Sequence, residues 1–533
     1  MSRLLSSGSV RVTAALLFFG VMSCYLSLSP ATLGGRGYNN EDQLSGERML
    51  DTFTAWQKGR PLPAIFWSRH GFMPILFDLP FIRIGREFLT PDFFMSVEQI
   101  LATAALVTLI YVWLRKLCSP GMSLLLTLSA AFGSLLWPYA YIGLEPKQSL
   151  FVMLAAYLGL ADGKIDRLSK LILFATAAGF AMSMKSTGTI IGPAFAYLVY
   201  AQFRGRWRAH WKWALGTAAI IGGIWLAGNY GRDLYWKPLG GGMPSLVQWF
   251  TDSSLRWYGN FIGLFGSSTR GLFIHTPALL LTIYAIPKAL RSYRDTAVFA
   301  LLTLGCTCAF LSMLILTSDE VWGPRYLHPV IGPLFICVGA AWQRLRSWQG
   351  VAILALSVMG FIASFLGAFY YYGVRVGATG EFGQNTMATL AQESSWDEIE
   401  FHGRLFQVWL KGGDTPVLWA PRRVWLYTAP PGTPTKPIDL RPYSHPQSLM
   451  LRYWDPSAES ADAKLLVKTF KVLLVLGLSA LALVGFRTWK ESRSYAVAAR
   501  GQAPQGRLGR LMPAMPSEQA ATASRESGHD HRA

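Results

Sequence analysis

Apolar residues run along this chain in long blocks, without the face-to-face alternation of a water-soluble helix or strand. A membrane-crossing helix needs about 20 mostly apolar residues. Twelve stretches approach that: 12–30, 94–114, 121–139, 148–161, 169–184, 187–202, 212–229, 272–288, 296–317, 327–343, 349–371 and 467–486. Several are short or interrupted. The pattern predicts an all-α polytopic membrane protein, a bundle of about 12 transmembrane helices. The stretch around 72–85 is apolar but short and holds Pro74 and Pro80, which reads as an interfacial or re-entrant helix. Residues 12–30 follow a positive start (Arg3, Arg11), as in a signal peptide. With so many later spans, an uncleaved first helix is expected instead.

Composition agrees. Of 533 residues, 52% are hydrophobic and 15% charged, against roughly 25% charged in soluble domains. The net charge of +19 could suggest a nucleic-acid partner, but many of the cations sit in clusters between apolar runs and no nucleic-acid motif accompanies them. Arg115 and Lys116 follow the second span. Lys164, Arg167 and Lys170 follow the fourth, and Arg204, Arg206, Arg208 and Lys212 the sixth. Lys288, Arg291 and Arg294 follow the eighth, Arg344 and Arg346 the tenth, and Arg487, Lys490 and Arg493 the last. Every second junction is basic, beginning at the N-terminus. The positive-inside rule then puts both termini in the cytoplasm of a multi-pass protein of the inner (plasma) membrane.

The opposite side receives three long segments, 31–93, 230–271 and 372–466, expected to form a cap over an outward-facing cavity. The expected organisation is a membrane core at 1–371, an extracytoplasmic loop or small domain at 372–466, a last transmembrane helix at 467–487 and a disordered cytoplasmic tail at 488–533. The five cysteines lie in or beside apolar runs with no metal-ligand spacing, so no disulfide framework is expected.

Candidate chemistry gathers at the outer ends of the spans. Glu41 and Asp42 stand just beyond the first; a carboxylate there can serve as a general base or hold a divalent cation, or Asp42 can cap a helix running through Glu47 and Leu50. Arg69 and His70 suit a phosphate or an interfacial anchor. Glu145, before Pro146, is a carboxylate at the lip of an apolar helix, where charge is costly and tends to be functional. It is also a plausible helix-start residue. Lys185, between two apolar runs, could pair with an anionic lipid phosphate or snorkel to the interface. Arg270 and Arg325, the latter followed by Tyr326, are flanked by Gly, Pro or aromatic residues, and their planar forks suit phosphate oxygens. Several such cations on one face would make a phosphate site. No nucleophile elbow, Walker loop, zinc signature or dinucleotide loop stands in the right context.

Five strings resemble the GT-C superfamily of membrane glycosyltransferases, closest to bacterial members similar to protein O-mannosyltransferases and aminoarabinose transferases. They are Glu41-Asp42, His70-Gly71-Phe72-Met73-Pro74, Gly143-Leu144-Glu145-Pro146, Arg270-Gly271-Leu272-Phe273 with Pro277, and Trp322-Gly323-Pro324-Arg325-Tyr326. The order Glu41-Asp42 reverses the common Asp-Glu. The resemblance covers roughly 10–345. It implies a sugar taken from a polyprenyl-phosphate-linked donor to an extracytoplasmic acceptor, in an inverting transfer. Asp42 or Glu41 would be the base, and Arg69, His70, Glu145, Lys185, Arg270, Arg325 and Tyr326 would hold donor and acceptor. A divalent cation, held by Asp42 and Glu145, is left open. The competing expectation is a transporter or flippase of lipid-linked saccharides, which would also need many helices and cationic sites.

Overall fold

The computed structural model describes residues 8–28, 40–60, 70–88, 91–141, 143–230, 257–267, 271–313, 324–342, 347–369, 407 and 461–501. Every regular element among them is a helix. α1 is Gly8–Leu28, α2 Asn40–Gln57, α3 Phe72–Glu87, α4 Pro91–Leu117, α5 Pro120–Phe132 and α6 Glu145–Ala156, which continues as a π-turn, Tyr157–Ala161. α7 is Leu168–Ser183, followed by a 3-10 turn, Ser186–Ile191; α8 is Gly192–Phe203 and α9 Trp207–Asn229. α10 is Trp257–Gly266, α11 Leu272–His275, then a 3-10 turn Pro277–Leu281, α12 Thr282–Ser292 and α13 Arg294–Met313. A 3-10 turn Arg325–Leu327 leads into α14, His328–Ala341; α15 is Ser347–Phe369 and α16 Ala461–Gly501.

Each apolar stretch read from the sequence contains helix, although 121–139 is helical only as far as Phe132 and continues as turns over 135–141. Among the described residues, five helical segments are long and apolar enough to cross a membrane: Gly8–Leu28, Phe93–Leu117, Arg294–Ser312, Trp348–Ala368 and Lys468–Ser494. Pro120–Phe132, Leu168–Ser183 and Arg325–Ala341 are apolar but shorter. The stretches 272–288 and 187–202 are broken for local reasons. His275-Thr276-Pro277 splits 272–288, because proline starts a new helical segment more readily than it continues one. A 3-10 turn precedes Pro193 in 187–202, and α9 kinks at His210, whose backbone is not helical.

The segments expected as loops also carry helix. Residues 31–93 contain α2 and α3, and 230–271 contains α10. α3, expected at the interface, packs on α2, α4 and α9 and buries Met73, Ile75, Asp78 and Ile82. The last helix runs on to Gly501, well past the expected boundary at 487. The expected domain at 372–466 lies outside the described residues apart from Gln407 and the start of α16.

Glycines mark the tight crossings. Gly71 has φ +90, and a Cβ there would collide with the Gly228 carbonyl of α9. Gly20 of α1 and Gly477 of α16 face each other, and Ser27 Oγ donates to the Phe470 carbonyl at 2.9 Å. Such small-residue contacts let helix backbones approach closely where lipid gives no hydrophobic drive for association.

Candidate functional site

α6 and α14 run side by side and start at the same end of the helical bundle. Residues four apart on a helix share a face. On α6 these are Glu145, Ser149 and Met153; opposite them stand Arg325, His328 and Gly332. The partners meet in order. Arg325 Nε donates to Glu145 Oε1 at 2.5 Å, Ser149 Oγ lies 2.6 Å from His328 Nδ1, and a Cβ on Gly332 would lie 2.7 Å from Met153 Sδ. The stripe thus grades from charged through polar to apolar as it enters the bundle.

At the charged end Lys185, from the turn after α7, donates to the same Glu145 oxygen. Its Nζ also lies 4.1 Å from the centre of the Tyr326 ring, and the Arg325 guanidinium carbon is 5.9 Å from that centre. Glu145 and Lys185 are buried and Arg325 nearly so. Glu145 precedes the apolar run that begins at 148. Burial pushes its carboxyl up, but the Arg325 guanidinium and the Lys185 ammonium more than offset this and hold it well below the usual carboxylate range. Its second oxygen, Oε2, is buried without a hydrogen-bond partner. Gly143 lies against that oxygen with φ +84, a backbone state that L side chains avoid, and a Cβ at 143 would collide with Oε2.

A second buried cluster lies on the other side of the same helical turn. Lys147 is two residues beyond Glu145 and so points away from it, toward α3 and α4. Its ammonium pairs with Asp78 of α3 and, at 3.2 Å, with Glu98 of α4. All three side chains are buried. Sequence reading did not single out this triad. The available signal was a carboxylate in each of two apolar segments and a lysine at the start of a third, because buried charges in such segments tend to be paired.

Of the expected site residues, Glu145, Lys185, Arg325 and Tyr326 come together. His70 is half-buried and precedes Gly71 at the start of α3. Arg69 and Arg270 lie outside the described residues. Glu41 and Asp42 fall in the first turn of α2, which begins two residues before Asp42, so Asp42 is within the helix and not its cap; their side chains lie outside the description. Further along α2, Gly46 abuts Ile82 and Ile75 of α3, and Arg86 of α3 donates to Asp51 at 2.8 Å. No group of three or more His, Cys, Asp or Glu stands ready to hold a metal among the described residues.

The opposite end of α6 is different. Lys116 and Lys170 pair with Asp162 at 3.7 and 3.2 Å, Lys164 donates to the Ala201 carbonyl at 3.2 Å, and Arg204 meets Asp295 at 3.2 Å. Basic junctions separated in sequence thus meet at one end of the bundle. That end is about 24 Å from Glu145, the length of a 16-residue helical rise.

Among the described residues the structure is all-helical, with helices long and apolar enough to cross a membrane and a buried cation pair on a carboxylate. No family model matches the chain, and no curated protein or solved structure matches it either.

Proposed function

We propose that this protein is a GT-C-type glycosyltransferase of the inner membrane, with about 12 spans and both termini in the cytoplasm. It transfers a sugar from a polyprenyl-phosphate-linked donor to an extracytoplasmic acceptor. One observation carries the reading: Glu145, Lys185, Arg325 and Tyr326, drawn from three separate stretches at the expected outer ends of spans, converge on one spot. The meeting of the basic junctions at the far end of α6 supports the topology.

In the transfer, Asp42 or Glu41 takes the proton of the acceptor hydroxyl. The acceptor oxygen bonds to the anomeric carbon as the bond from that carbon to the phosphate oxygen breaks, with inversion. The phosphate leaves with the electron pair and needs stabilisation of charge more than a proton. Lys185 and Arg325, with Arg69 and Arg270, supply it. A groove between helices takes the isoprenoid tail, at about 0.8 kcal/mol per buried methylene.

Mass spectrometry of cell-envelope glycans tests this. Cells lacking the gene, and cells carrying Asp42→Asn, should both lose the same sugar while the variant is still made and inserted. Intact glycans in both would overturn the reading. The buried Asp78–Lys147–Glu98 triad favours a second reading, a transporter or flippase, since such groups often line ion and substrate paths. A transport defect with glycosylation intact would select it.

A further inference from the structure

The proposed donor site holds an anion already. Lys185 and Arg325 both donate to one oxygen of Glu145, the arrangement a phosphate oxygen would receive. The carboxylate is poorly served in return. Its other oxygen is buried, has no hydrogen-bond partner and is wedged against the left-handed Gly143. A permanent structural counter-ion would be expected to have both oxygens satisfied, because an unpaired buried acceptor forfeits its hydration.

We propose that Glu145 is a resident stand-in for the phosphate: it occupies the Lys185–Arg325 pair in the unloaded protein and yields it to the phosphate or diphosphate group of an incoming prenyl-linked ligand. This rests on the donor-site reading above. Neighbouring cations such as these repel, and the carboxylate between them offsets that repulsion until a ligand enters. Displaced, it releases its orphaned oxygen, which lowers the cost of the exchange. Gly143 sets the balance, since any side chain there would push the carboxylate off the pair.

The stand-in role makes a prediction of opposite sign to a supporting role. Full-length protein purified in detergent is titrated by calorimetry with farnesyl phosphate and, separately, with inorganic pyrophosphate. Glu145→Gln and Gly143→Ala should each bind farnesyl phosphate about tenfold more tightly than the unaltered protein. The first weakens the competitor and the second displaces it with every charge retained. Weaker binding in either folded variant would overturn the inference. Should both fail to fold, Glu145→Asp keeps the charge but shortens its reach, and tighter or weaker binding decides in the same way. Lys185→Gln with Arg325→Gln separates the two claims. Unchanged binding there removes the phosphate site itself, whereas lost binding together with weaker Glu145 variants leaves the site standing and removes only the stand-in role. Tight pyrophosphate binding without tight farnesyl phosphate binding would assign the pair to a free anion and overturn the prenyl-linked assignment.

Discussion

The two ends of α6 use the same side chains for different purposes. At the Glu145 end, six charges from five parts of the chain are buried or nearly buried: Asp78, Glu98, Glu145, Lys147, Lys185 and Arg325. At the other end, Asp162 and Asp295 meet Lys116, Lys170 and Arg204 while remaining in part exposed. Exposed pairs contribute little to stability because water and salt screen them. Buried ones contribute little net stability for another reason, since desolvation offsets attraction, yet losing one partner is severe. The exposed end therefore fits the proposed topology, and the buried end fits the proposed site.

Removing a single buried partner should give the largest effect. Lys147→Met leaves Asp78 and Glu98 together without their shared cation, and should cost about 3–5 kcal/mol. Unfolding of the purified protein in a denaturing detergent series measures it. Replacing the whole triad, as Asp78→Asn, Glu98→Gln and Lys147→Met, should recover most of the loss, because polar neutral groups lack the desolvation penalty of ions. If the single change costs no more than an exposed pair, the contrast between the two ends collapses.

A smaller loss is expected one turn deeper. Ser149→Ala removes the partner of His328 Nδ1, and His328 Nε2 already has none. A buried imidazole with neither nitrogen paired should lower stability by about 1–3 kcal/mol in the same measurement. An unchanged midpoint would show that the middle rung of the α6–α14 stripe is not needed to hold the two helices together.

The contrast also explains what was legible in the sequence. Apolar runs located most of the helices but not α2 or α10, which lie in segments expected as loops; within the runs, span length and backbone hydrogen bonding in lipid leave few alternatives. The break at His275-Thr276-Pro277 is marked by its proline, which a hydropathy run does not weigh, and the kink at His210 falls before the run 212–229. Glu145, Lys185 and Arg325 were singled out one by one, as charges at helix ends. That they meet on one oxygen depends on helix order and rotation, with partners 40 and 180 residues apart. Asp78, Glu98 and Lys147 escaped notice because each, taken alone, resembles a charge at an interface; only their mutual burial sets them apart.

The smallest stability effect belongs to the exposed end, and there a different readout is informative. Arg204→Gln breaks the Arg204–Asp295 pair, but Tyr197 still donates to Asp295 at 2.8 Å. The expected loss is about 1 kcal/mol or less and should shrink further in high salt. Orientation should respond more strongly than stability as more of the cluster is neutralised. Changing Arg204, Arg206, Arg208 and Lys212 together to Gln removes the charge that, under the proposed topology, holds this junction in the cytoplasm. A cysteine placed at Gly205 should then gain reactivity toward a membrane-impermeant thiol reagent applied to the outer side. If that cysteine is already labelled from outside in the otherwise unaltered protein, the topology is inverted, and Glu145 with its two cations faces the cytoplasm.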